Sequence, residues 1–210
     1  CYGEGGNHFL HTFRRNPNIT LIVHNNQIYG LTKGQASPTT DSGDKTRLQF
    51  EGVELAPLQP LALALLHGCP FVARGYAREI DHLSDLFVEA LRFKGFSYVD
   101  VIQPCITWGT HPISWYKERI YQLPPEYNPH NKEEALKRAA EGGDHIPIGI
   151  FYRDERPQKL FGDQFRAKIY DGKLTELGFP PQQTIAALID RFRTYKSEQA
   201  KQSKAKQRRR

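Results

Sequence analysis

Residues 19 to 23, Ile-Thr-Leu-Ile-Val, are four-fifths aliphatic and have polar flanks, the pattern of a strand buried in a sheet. The run stops at two amides, Asn25 and Asn26, and passes through Gln27, Ile28 and Tyr29 into a loop punctuated by Gly30, Thr32 and Gly34. In an open α/β sheet, ligands bind beyond the carboxyl ends of the strands. Amide and hydroxyl oxygens placed there suit a hard cation such as Mg2+, and unpaired backbone N–H groups suit phosphate. The competing reading is a plain surface turn, because Asn and Gly are turn formers. On these residues alone both readings stay open.

The rest of the chain says what kind of sheet this strand belongs to. Ahead of it, GEGG at 3–6 leads into an amphipathic helix with a stripe of Phe9, Leu10 and Phe13, closed by Arg14, Arg15, Asn16 and Pro17. The polar stretch 41–57 reads as a loop, 60–68 as a short apolar helix and 71–76 as a strand. Ile80, Leu83, Leu86, Phe87, Ala90 and Leu91 recur with the helical period over 80–94. Gly95 stops that helix before a strand over 96–102. This alternation predicts an α/β fold built on a doubly wound parallel sheet. Segment 106–131 carries both tryptophans and three tyrosines among several prolines, and reads as a long ordered excursion. A charged helix over 131–141, a strand over 146–152, a hairpin around Asp171-Gly172-Lys173 and a closing helix over 180–199 complete an irregular C-terminal extension. The expected division is an α/β domain over 1–152, the hairpin and helix over 153–195, and a basic tail over 196–210.

A chain of 210 residues with 39% hydrophobic content can bury one core. No apolar run approaches the roughly 18 residues of a membrane span, and no leader pattern is present, so a soluble protein is expected. Three scattered cysteines do not make a disulfide framework and point to the cytoplasm. The net charge of +6 comes from the tail: seven of the 29 basic and one of the 23 acidic residues lie in 196–210, so the body carries 22 of each. A neutral body argues against nucleic acid as the partner. His8 and His11 share a helix face and His24 lies at the strand end, but no carboxylate or cysteine stands at zinc-ligand spacing with them. GxSxG, Walker and dinucleotide glycine motifs are absent from the sequence.

The run GGNHFLHTFRRNPNITLIVHNNQIYGLTKGQASPTT, followed by FVARGYA and VDVIQPC, resembles the beta subunits of the 2-oxoacid:ferredoxin oxidoreductases over residues 1 to about 155. The resemblance implies a sheet of the thiamine diphosphate-binding type. It implies oxidative decarboxylation of a 2-oxoacid, with coenzyme A as acyl acceptor and electrons passed through a [4Fe-4S] cluster to ferredoxin. YGLTKGQASPTT is more similar to the 2-oxoglutarate branch than to the pyruvate branch. By residue, the resemblance implies Asn26 as the side-chain ligand of Mg2+, Ile28 as its backbone-carbonyl ligand and Asn25 as a shaper of that turn. Gly5, Gly6, Asn7 and Thr32 become candidates to hold the diphosphate, Lys33 a positive charge near it, and Cys105 one ligand of the cluster. His8 and His11 match the family's NHxxH pattern. The glutamate that activates the aminopyrimidine belongs, in the family, to the alpha subunit, which is the expected partner.

This sequence departs from the pattern in one place. The family's GDG, whose aspartate is a metal ligand, is not found before Cys1, and the sequence contains no Met. The expectation is a piece of a longer reading frame. Two further readings are a scaffold homologue that lacks the metal motif, and an α/β nucleic-acid module working through its basic tail.

Overall fold

The computed structural model describes residues 1–163, 182–187 and 189–191. The chain divides into two compact units, Cys1–Gln164 and Phe165–Arg210. In the second, the described residues are helical and exposed, within the expected closing helix. The expected Asp171 hairpin and the basic tail lie outside the described residues. No helix among the described residues is long and apolar enough to cross a membrane.

In the first unit the elements run α1 (Gly6–Arg15), β1 (Thr20–Asn25), β2 (Ile28–Tyr29), β3 (Gln35–Ala36), α2 (Pro60–Leu66), β4 (Phe71–Tyr76), α3 (Ile80–Arg92), β5 (Ser97–Ile102), α4 (Ile113–Arg119), β6 (Ile120–Gln122), α5 (Lys132–Ala139) and β7 (Ile146–Arg153). The main sheet has the order β1-β5-β4-β7-β6, and β2 and β3 form a separate small ribbon. β5 lies parallel to both β1 and β4, in register Val23↔Asp100↔Arg74. β4 is buried along its whole length, as a strand covered on both faces must be.

Alternate residues of these strands feed two cores. Val72, Tyr98 and Phe151 pack with Phe9 and Phe13 of α1, Leu61 and Leu65 of α2, and Ala135 and Ala139 of α5. Phe71, Ala73, Val99 and Val101 pack with Leu86 and Ala90 of α3 on the opposite face. Helices therefore cover both faces, as the doubly wound reading requires. On the first face, Phe9 meets Phe13 and Tyr98 edge to face at centroid distances of 4.6 and 5.1 Å. α1 ends where Asn16 turns left-handed, at φ 45°, and its Oδ1 accepts the Phe96 N–H at 2.7 Å. That bond ties the helix end to the start of β5.

The sheet is mainly but not wholly parallel. β7 runs antiparallel to β4, with a register shift between Val72 and Ala73, and β6 lies parallel to β7 at the edge. A buried strand has the same apolar pattern in either direction, so the doubly wound parallel sheet expected from sequence carries no direction for this strand. The long segment between β5 and β7 leaves either direction sterically open. That segment is ordered, as expected, and contains α4 and β6. Residues 154–163 return to the same unit, where Asp154 N–H donates to Pro70 O at 2.8 Å and Phe161 N–H to Asn16 O at 3.2 Å.

Candidate cofactor and metal site

Parallel β1 and β5 end level with each other. Asn25 pairs with Ile102, and Gln103 N–H donates to Asn25 O at 3.0 Å. The Asn25-Asn26 turn and the Cys105 loop therefore leave the sheet at the same, carboxyl end of the strands. Past Asn25 the chain makes two overlapping Asx turns: Asn25 Oδ1 accepts Gln27 N–H at 3.3 Å and Asn26 Oδ1 accepts Ile28 N–H at 3.1 Å. Gln27 between them is left-handed, at φ 57°. Ile28 is buried and starts the β2–β3 ribbon opposite Ala36.

The Ser37-Pro38-Thr39-Thr40 loop folds beneath this turn. Thr39 Oγ1 donates to Asn25 Oδ1 at 2.7 Å, and Thr40 Oγ1 donates to Gln27 O while accepting Ser37 N–H at 2.8 Å. Tyr2, Gly3, His24, Asn25, Asn26 and Thr39 are among the residues lining one small cleft. Gly5 caps α1 at its N-terminus, and a Cβ there would stand 2.6 Å from Cys1 O, so the turn admits no side chain. Gly6 N–H is committed to Gly3 O at 3.1 Å, whereas among the described residues the N–H groups of Asn7 and His8 have no hydrogen-bond partner. Thr32 is exposed, outside the cleft lining, and its hydroxyl donates to Tyr29 O at 3.2 Å. Lys33 is exposed and left-handed, at φ 66°. The structure thus brings Asn25, Asn26 and the residue 1–3 turn together. Gly5, Gly6, Asn7 and Thr32 lie outside that cleft lining.

Cys105 is half-buried, three residues beyond β5, and its Sγ accepts Trp108 N–H at 3.4 Å. Cys69 is buried and donates to Phe71 O at 3.2 Å, and burial pushes its thiol well above the ordinary range. Cys1 is exposed. Among the described residues no group of three metal-ligating side chains contains a cysteine; the single such group is Asp41, Asp44 and His111. Its atoms already have protein partners. Gln27 Nε2 donates to Asp41 Oδ2 at 3.1 Å, Thr110 Oγ1 donates to Asp44 Oδ2 at 2.6 Å, and His111 Nε2 lies 3.1 Å from Asp44 Oδ2.

Beside the turn lies a second crevice whose lining includes Asn25, Gln27, Asp41, Arg74, Asp100 and Tyr116. Arg74 Nε donates to Asp100 Oδ2 at 3.1 Å between adjacent strands, and Tyr2 OH donates to Asp100 Oδ1 at 2.8 Å. Burial raises the Tyr2 phenol far above its usual value, and the Asp100 carboxylate raises it further. This pair was not singled out from sequence. A signal existed, since FVARGY and SYVDVI each carry one charge amid buried apolar residues, at positions the register brings opposite.

Two family descriptions match the chain: the C-terminal TPP binding domain of thiamine pyrophosphate enzymes over residues 1–101, and the C-terminal part of the pyruvate ferredoxin oxidoreductase beta subunit over residues 105–167. The beta subunit of a 2-oxoacid:ferredoxin oxidoreductase from Saccharolobus solfataricus is 42% identical over 165 residues, covering 73% of this chain and 54% of the relative. The chain belongs to the beta-subunit family of the 2-oxoacid:ferredoxin oxidoreductases. A 2-oxoglutarate synthase subunit KorB from Archaeoglobus fulgidus is 36% identical over 153 residues, covering 71% of this chain and 53% of the relative. A solved 2-oxoglutarate:ferredoxin oxidoreductase from Magnetococcus marinus, with 2-oxoglutarate, coenzyme A and succinyl-CoA bound, superposes with a TM-score of 0.78 at 27% identity. That match covers 89% of this chain and 63% of the solved one. The chain spans about half the length of the curated relatives it matches.

Membership of this family sets a test for the donors present. Asn26 Oδ1 has one lone pair occupied by Ile28 N–H and one to spare. With the Ile28 carbonyl it would offer two hard, neutral oxygens, which suit Mg2+. A site of this kind still needs anionic ligands, and the diphosphate itself would supply some. The free N–H groups at the start of α1 point to the same anion, for a helix N-terminus carries partial positive charge. For an iron-sulfur cluster the fit within this chain is incomplete. Cys105, half-buried just past β5, and Cys1, exposed beside the Asn25-Asn26 turn, are the accessible thiols near the strand ends, and a cluster needs about four thiolates.

Proposed function

We propose that this chain is the cofactor-binding part of the beta subunit of a 2-oxoacid:ferredoxin oxidoreductase, acting on 2-oxoglutarate with coenzyme A as acyl acceptor and ferredoxin as electron acceptor, in complex with an alpha subunit. The observation that carries the reading is the double Asx turn at Asn25 and Asn26, seated at the carboxyl end of a parallel strand. The choice of acid rests on YGLTKGQASPTT and on relatives named for 2-oxoglutarate.

Thiamine diphosphate, when bound, supplies a nucleophilic carbon for attack on the keto group of a 2-oxoacid. The residues of this chain hold and orient. Asn26 Oδ1 and the Ile28 carbonyl would hold Mg2+, and the Asn7 N–H would take a phosphate oxygen. Asn25, bonded to Thr39 and Gln27, keeps the turn in one conformation. Cys105 is proposed as one thiolate of a cluster whose other ligands lie outside this chain.

In the intact two-subunit enzyme, Asn26→Ala should lose Mg2+ and thiamine diphosphate together while far-ultraviolet dichroism and the unfolding midpoint stay unchanged. Retention of both at wild-type levels would remove Asn26 from the site. Cys105→Ser should lower the visible cluster absorbance of the same complex, and an unaltered spectrum would leave Cys105 a structural residue. Reduction of ferredoxin with coenzyme A and either 2-oxoglutarate or pyruvate decides the acid.

A further inference from the structure

Gln27 stands between the two residues proposed to hold Mg2+, in a left-handed conformation that is uncommon for a residue with a Cβ. What holds it there is its own amide. Nε2 donates twice, to Thr39 O at 3.0 Å and to Asp41 Oδ2 at 3.1 Å, and Oε1 accepts the phenol of Tyr116 at 3.0 Å. The backbone carbonyl of Gln27 takes the Thr40 hydroxyl. Three of the four hydrogen bonds open to a Gln side chain are therefore made. The only long-range partner among them comes from α4, 89 positions away.

Tyr116 is fixed independently of this bond. Its side chain is buried, its ring stands edge-on to Trp115 at 4.9 Å, and it stacks loosely on Tyr76 at 6.5 Å. Trp115 in turn stacks flat on His111 at 4.0 Å, and His111 reaches Asp44. Among its contacts with the segment after β1, the segment that begins at Cys105 holds Asp44 through Thr110 and His111, and Gln27 through Tyr116. The first fixes a loop. The second acts on the peptide units that orient the Asn26 amide and the Ile28 carbonyl.

We infer that Tyr116 is a positioning residue for the divalent-cation and diphosphate site, acting through Gln27 to set the geometry of the Asn26-Gln27-Ile28 turn. The inference rests on the proposed cofactor role of that turn. Tyr116→Phe removes one hydroxyl and leaves the ring packing in place, so the Oε1 of half-buried Gln27 loses its protein donor. The turn then samples other orientations, and the cation must select the competent one.

The test uses the intact two-subunit enzyme and reads bound thiamine diphosphate as Mg2+ is titrated. Tyr116→Phe is expected to raise the half-saturating Mg2+ concentration about five- to tenfold, the equivalent of one hydrogen bond. Gln27→Ala, which does not touch the aromatic packing, should raise it at least as much, and the double variant should be no worse than Gln27→Ala alone. Multiplying losses in the double variant would show that the two side chains act separately and would overturn the inference. So would an unchanged Mg2+ requirement in Tyr116→Phe accompanied only by a lower unfolding midpoint, the result of a purely structural role. Asn26→Ala separates the two levels. If it abolishes cofactor retention while Tyr116→Phe does nothing, the inference alone fails; if it retains cofactor, the reading of the turn fails and the inference with it.

Discussion

Arg74 and Asp100 face each other from neighbouring parallel strands, Nε to Oδ2 at 3.1 Å, with side-chain exposures of 10% and 1%. Asp100 also takes the Tyr2 hydroxyl, and the Arg74 guanidinium lies 5.8 Å from the centre of the Phe151 ring. A buried pair is costly to halve, because the surviving charge is left without a partner. Arg74→Met should therefore destabilise the protein by about 3–5 kcal/mol, seen as a lower midpoint in guanidinium unfolding. The double variant Arg74→Met with Asp100→Leu should recover most of that loss, since apolar side chains of similar volume satisfy the same space.

Gly34 offers a second, local test. It lies at φ 91°, and a Cβ there would meet the Trp108 ring at 3.0 Å and the Arg47 side chain at 3.5 Å. Arg47 itself sits over that ring at 5.7 Å. Gly34→Ala should cost about 1–2 kcal/mol from backbone strain alone. Replacing Trp108 by Leu in the same chain should relieve the crowding but not the strain. Thermal unfolding of the single and double variants separates the two contributions.

At the start of α5, Asn131 Oδ1 accepts the N–H groups of Glu133 and Glu134 at 3.1 and 3.2 Å. Asn131→Ala should lower stability by about 1 kcal/mol, and Asn131→Asp should be close to neutral, because both Asn and Asp are good caps. The loss should be visible as faster hydrogen exchange confined to the first turn of α5.

The cysteines should react in a defined order with a thiol reagent. Cys1 is exposed and Cys105 half-buried, whereas Cys69 is enclosed, donates to Phe71 O and has its thiol pKa pushed up by burial. In the cluster-free protein, two thiols should titrate under native conditions and the third only after denaturant is added. Mass spectrometry of the modified peptides should find Cys69 unlabelled in the native sample.

Most of the helices and strands could be read from the chain because their apolar spacing is set locally. Phe9 and Phe13 mark the inner face of α1, and the largely apolar run of β4, broken by Arg74, marks a strand covered on both sides. The direction of β7 could not be read, because the pattern of Ile148, Phe151 and Tyr152 is the same whichever way the strand runs. α4 and β6 are only seven and three residues long, too short for periodicity to show. Within the candidate site, Asn25 and Asn26 stood out as an amide pair at a strand end. Gln27 did not, since its left-handed conformation depends on Tyr116, Thr39 and Asp41, and glutamine has no intrinsic preference for it.

The level pairing of Asn25 with Ile102 makes the sheet a ruler between two loops that lie far apart along the chain. Sliding β5 by one residue against β1 would move Cys105 by about 3.3 Å relative to the Asn25 turn. It would also send Tyr98 and Asp100 to the α3 face, away from α1 and Tyr2. The distance between a thiol and an amide turn is thus protected by the whole core, and no substitution in either loop can reset it alone.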